Sequence, residues 1–108
     1  MFNISSLPRH TVTVPFVIER DGVKEEHPFT ATFEMIDPES EGIDPTVDKG
    51  DRELLDRVLV GLGDIMDEKG KELPFSDELK SQVIGRIDVR AALLRAFYAE
   101  IPKLIRGN

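Results

Sequence analysis

The sequence predicts an α+β domain in which an N-terminal antiparallel β-hairpin packs on about three α-helices. Three observations predict it. Between Thr11 and Asp37 apolar residues alternate with polar ones on either side of Asp21-Gly22, the period of a strand pair joined by a tight turn. From Asp51 onward the apolar spacing changes to three and four, the period of an amphipathic helix. Between these regimes lies "DPESEGIDPTVDKGD", whose two prolines, two glycines and six acids against one Lys are the composition of a loop. The 108 residues therefore form one domain, divided into a hairpin at 10–36, an acidic loop at 37–50 and a helical region at 51–108.

In the hairpin, Asp and Gly tolerate the positive φ angles of a two-residue turn, which pairs Arg20 with Val23. That register sets Val14 opposite Phe29 and Val12 opposite Ala31. One face then carries Val12, Val14, Phe16 and Ile18 beside Phe29, Ala31, Phe33 and Met35. The other face is mostly Thr and Glu, interrupted by Val17 and Ile36. Pro15 has no N–H to give a ladder, so its strand is expected to leave one side unpaired or to bulge. A lone hairpin is marginal in water, so helices must cover its apolar face.

The first helix begins near Asp51 and places Leu54, Leu55, Val58, Leu59, Leu62 and Ile65 on one stripe. Gly61 and Gly63 weaken its end by about 1 kcal/mol each relative to Ala, so it is expected to fray or bend there. "DEKGK" is a turn, and Leu73-Pro74-Phe75 continues extended because a residue before proline avoids the α region. Ser76 is the N-cap of a short helix, with Asp77 and Glu78 in its first turn where the dipole favours acids. That helix buries Leu79, Val83 and Ile84, and Gly85 ends it. Asp88 is expected to cap the last helix, from Val89 to about Ile101, with a kink or stop before Pro102. Val89, Ala92, Leu93, Ala96 and Phe97 form one stripe on it, and Leu94, Tyr98, Ile101 and Ile105 a second. Together they span about 240°, whereas one core needs little more than 100°. Arg90 and Glu100 interrupt this arc. Either the helix is covered on both sides by its own domain, or Leu94, Tyr98, Ile101, Leu104 and Ile105 serve a partner or a second subunit.

Composition narrows the function classes. Fourteen basic and 21 acidic residues give a net charge of −7, and the bases gather late, with six against two acids from Leu79 onward. That asymmetry reads as solvated faces with bases near helix C-termini, or as a contact surface for an acidic partner or another copy. Phosphate would repel so acidic a chain, which speaks against nucleic acid. The start lacks a signal peptide's basic and apolar regions, and no apolar run approaches a membrane span, so a cytoplasmic protein without membrane contact is expected. Without cysteine there is neither a disulfide framework nor a thiolate site. His27 falls beside Phe16 as a strand residue, and His10 has no paired Ser or Cys motif. The acidic loop departs from a calcium loop through Pro38, Pro45 and the Asp where a bidentate Glu belongs. Gly61-Leu62-Gly63 lacks the preceding strand and third glycine of a phosphate loop. No catalytic residue, metal ligand or cofactor site is expected.

"VLVGLGDIMDEKGKELPFSDELKSQVIGRIDVRAALLRAFYAE" nevertheless resembles the signature of a phage tail assembly chaperone family. The resemblance covers about residues 55–101. It rests on Gly61, the Asp67-Glu68 and Gly70 of an acidic turn, the Leu73-Pro74-Phe75-Ser76 step, Leu79, and the Val89-Arg90-Ala91-Ala92-Leu93 run followed by Phe97 and Tyr98. Leu62 and Gly63-Asp64 stand where the pattern has tryptophan and Lys-Gly. The resemblance implies a non-catalytic protein that binds and solubilises the tape measure protein during tail morphogenesis. It also implies a homo-oligomer in the host cytoplasm, absent from the mature virion. A longer form made by ribosomal frameshifting would recruit the tail tube protein, this chain being the short form. The alternative is a small structural protein of tail or head completion, retained in the particle.

Overall fold

The computed structural model describes residues 1–106. Strands β1 (Arg9–Val14), β2 (Val17–Arg20), β3 (Val23–Glu26) and β4 (Phe29–Glu34) precede helix α1 (Gly50–Val58). Strand β5 (Leu59–Gly63) and helices α2 (Asp77–Gly85) and α3 (Ile87–Ile105) complete the order. The α+β class and the hairpin register hold: Val14 faces Phe29, Val12 faces Ala31 and Arg20 faces Val23. Asp21 and Gly22 take φ of 52° and 80°, as the two-residue turn requires.

The hairpin is not one ladder. It separates into β1–β4 and β2–β3 at Pro15 and Phe16, opposite His27 and Pro28. Each strand has a proline at the break, and across it the His27 amide still donates to Phe16 O at 2.7 Å. Of the inward row, Val14, Phe16, Phe29, Ala31, Phe33 and Met35 are buried, and Val12 and Ile18 are partly buried. Ile36 is also buried, against the outward expectation, because β4 ends at Glu34 and alternation ends with it. The acidic segment is likewise more than a solvated loop. It contains a one-turn helix at Glu39–Glu41 closed by Gly42 at φ 72°, and it buries Ile43.

The largest departure is at Leu59. The expected helical stripe through Leu62 and Ile65 stops at Val58, and the chain becomes β5, antiparallel to β4 in a sheet ordered β1-β4-β5. Gly61 lies opposite Thr32 and Gly63 opposite Thr30. A Cβ on Gly61 would sit 3.1 Å from the Thr32 side chain, and one on Gly63 2.5 Å from Thr30 Oγ1. These glycines therefore mark the close approach of two strands rather than the fraying of a helix.

The connection to α2 follows expectation. Asp67 Oδ1 accepts from the Lys69 and Lys71 amides, Gly70 takes φ 79°, and Ser76 Oγ accepts from the Leu79 amide at 3.1 Å. Leu79, Val83 and Ile84 are buried. Helix α3 differs at both ends. Its N-cap is Arg86, and Asp88 sits in the first turn, where it holds the Arg86 guanidinium in two hydrogen bonds of 3.1 and 2.7 Å. At the other end the helix runs through Pro102 to Ile105. It does so although Pro102 has no N–H to donate to the carbonyl four residues back. The core lies between sheet and helices, with Phe33, Phe97, Leu54, Leu55, Leu59 and Leu93 fully buried. Phe33 and Phe97 meet edge to face with centroids 5.6 Å apart.

Candidate functional site: the C-terminal half of helix α3

Helix α3 is anchored in the domain as far as Glu100, and its last residues are mostly exposed. Arg90 is buried, and it ties α3 to α1 through Asp51 Oδ2 at 3.0 Å and to the end of α2 through Ile84 O at 2.7 Å. Val89, Ala92, Leu93 and Phe97 fill the core. Glu100 is the last buried residue among those described, 6% exposed, and it joins the last turns of α3 to β1. His10 of β1 donates from Nδ1 to Glu100 Oε1 at 2.9 Å, and Lys103 Nζ donates to Oε2 at 2.6 Å. Lys103 foremost, with His10 adding to it, holds the Glu100 carboxyl below its usual pKa against the opposing effect of burial.

The five residues assigned to a partner divide in two. Leu94 and Ile101 lie partly buried against the core, so the domain itself uses much of their area. Tyr98 is 41% exposed, packed edge-on against Phe97 at 5.4 Å, and partial burial raises its phenol pKa. Leu104 and Ile105 are exposed, Ile105 by 83%. Of these five, Tyr98, Leu104 and Ile105 are therefore the ones left uncovered. They lie on the turns that also carry the basic residues Lys103 and Arg106.

Arg90 and Glu100 interrupt the apolar arc in the sequence, whereas in the fold both are buried hubs. The available signal was a charge at a helical position flanked on both sides by core residues. Its partners, Asp51 and His10, lie 39 and 90 residues away in sequence, beyond any periodicity. The Glu34 carboxylate on β4 is likewise beyond periodicity, its partners lying 23 and 25 residues away. Arg57 on α1 and Arg9 on β1 both bond it, at 3.0 and 3.2 Å, and Arg57 above all lowers its pKa.

A concavity of about 480 Å³ opens between β2, the segment after β5, and α2. Phe16, Ile18, Leu73 and Val83 wall it. His27, on its rim, is engaged by Glu25, and Arg86 by Asp88. Among the described residues no group of three or more His, Asp or Glu side chains is placed to hold a metal ion. No helix among them is long and apolar enough to cross a membrane.

Comparison of the chain with protein-family models, characterised proteins and solved structures gives no match.

Proposed function

We propose that this chain is a non-catalytic tail assembly chaperone that binds and solubilises the tape measure protein of a long-tailed phage. The observation that carries the reading is the exposed end of α3, where Tyr98, Leu104 and Ile105 remain open while the same helix is locked into the core through Arg90 and Glu100. A rigid amphipathic helix with an open apolar strip suits a long helical client whose own apolar face must be kept from aggregating. The family resemblance over residues 55–101 supplies the identity of that client.

In this reading the protein works in the host cytoplasm, self-associates on the client, and is absent from the finished virion. A frameshifted longer form carries the contact with the tail tube protein.

Co-expression with the tape measure protein encoded in the same genome is the test. The expected result is a soluble, co-purifying complex that weakens when Ile105 is changed to Asp. A client equally soluble without this chain, and no recovered complex, rejects the proposal. Mass spectrometry of purified virions bears on the same point, because a chaperone is absent from them and a retained structural component is present.

A further inference from the structure

The outer edge of β1 is unguarded. Among the described residues, in the sheet order β1-β4-β5, β1 pairs on one side only. Pro8 O accepts from the Met35 amide at 2.8 Å, which fixes the phase of the antiparallel ladder. Hydrogen-bonded pairs alternate with non-bonded ones, so His10, Val12 and Val14 exchange bonds with β4. The N–H and C=O groups of Arg9, Thr11 and Thr13 therefore point away from the sheet.

Exposed edges are normally blunted by bulges, charges, proline or short strands. The opposite edge follows that rule: β5 holds Gly61 and Gly63, and its ladder with β4 slips at Thr32/Phe33. β1 has six residues in unbroken register, and Arg9 is its only Lys, Arg, Asp or Glu. No Asp or Glu occurs before Glu19, although the chain holds 21 of them. Two copies of a protein of net charge −7 repel over most of their surfaces, but not along this strand.

We infer that β1 is a self-pairing edge, joining two copies antiparallel about Thr11 into a continuous six-stranded sheet. Outward groups must face outward groups, which sets Thr11 opposite Thr11 and Arg9 opposite Thr13 of the second copy. No like charges oppose each other, and paired threonines favour the contact. A shift of two residues in one direction sets Arg9 against Pro15, which has no N–H. A shift in the other sets Thr13 against Leu7, outside the strand. Beside the end of β1, a groove of about 650 Å³ runs along Pro15 and Val17, and α3 presents to it Ala91, Ala96 and Ala99 together with the opposite charges of Asp88 and Arg95. The pairing is argued from β1 alone and is tested without a client, so it can fail while the client binding of the chaperone reading stands, although it names a contact for the self-association in that reading.

The chain has no cysteine, so Thr11→Cys supplies its sole thiol. Across a hydrogen-bonded antiparallel pair the Cα atoms lie about 5.5 Å apart, within disulfide range. Oxidised Thr11→Cys is expected to become a covalent dimer, whereas Lys24→Cys, exposed on β3, does not. Sedimentation equilibrium is expected to give the wild-type chain twice its sequence mass. Thr11→Lys, which opposes two ammonium groups, is expected to give the monomer with unchanged circular dichroism. A wild-type chain that stays monomeric into the millimolar range overturns the inference. So does a dimer that survives Thr11→Lys or that fails to cross-link through Thr11→Cys.

Discussion

Replacing His10 with Ala removes the one donor that β1 offers to the buried end of α3. Glu100 is 6% exposed and receives two hydrogen bonds, from His10 at 2.9 Å and from Lys103 at 2.6 Å. A hydrogen bond to a charged group contributes about 1.5–3 kcal/mol. Lys103 keeps its oxygen in the variant, and water can reach part of the space vacated by the imidazole. The lower end of that range applies, about 1.5–2 kcal/mol.

Urea denaturation followed by circular dichroism at neutral pH reads this loss directly. Its pH dependence has a definite sign. The folded-state pKa of Glu100 lies below its ordinary value, through Lys103 first and His10 with it. The corresponding stability is fully present above the unfolded carboxylate pKa of about 4.3 and is lost as pH falls through the folded value. The penalty of His10→Ala is therefore full at neutral pH and shrinks in acid below about pH 4. A cost under about 0.5 kcal/mol at neutral pH, the size of an ordinary surface substitution, refutes the latch. A gap between variant and wild type that does not change in acid refutes it equally.

Three further outcomes are expected. Leu93→Asp places an unpaired charge in the core, costs several kcal/mol and unfolds the domain. Tyr98→Asp and Ile105→Asp instead keep the cooperative unfolding transition and weaken client co-purification, and equal unfolding by Tyr98→Asp would assign that ring to the core. Gly63→Ala is expected to destabilise by about 1–3 kcal/mol through its clash with Thr30 Oγ1. Most of that loss should return in the Thr30→Ala background, because Thr30 Cβ lies 3.9 Å from the added methyl. A double-mutant cycle in urea measures the coupling, and additive effects contradict the close strand approach. Ser76→Ala is expected to cost about 1 kcal/mol through loss of the α2 cap, read as a lower thermal midpoint.

Local chemistry was legible wherever neighbours in sequence decide it. Asp21-Gly22 imposes its own turn, the alternation of Val12, Val14, Phe29 and Ala31 fixes the register, and Ser76 caps the helix that it precedes. Each depends on contacts only a few residues away or on a period that the hydrophobic effect enforces along one face. The stripe of Leu54 to Ile65 was ambiguous for a physical reason. Leu59, Leu62 and Ile65 satisfy a helical spacing, while Val60 and the two glycines equally satisfy a strand. What decided between them was the open edge of β4, whose Thr30 and Thr32 side chains approach Gly63 and Gly61 closely.

The candidate site divides along the same line. The sequence by itself determined that α3 carries more apolar surface than a single core requires, because helical geometry distributes side chains around an axis whatever surrounds it. Only the tertiary structure decided how that surface is shared. It gives Leu94 and Ile101 largely to the domain, leaves Tyr98, Leu104 and Ile105 open, and turns Arg90 and Glu100 from apparent defects into anchors. Burying a charge is tolerable only beside its partners, and the fold had to bring Asp51 and His10 to those two positions before either residue had a reason to be there.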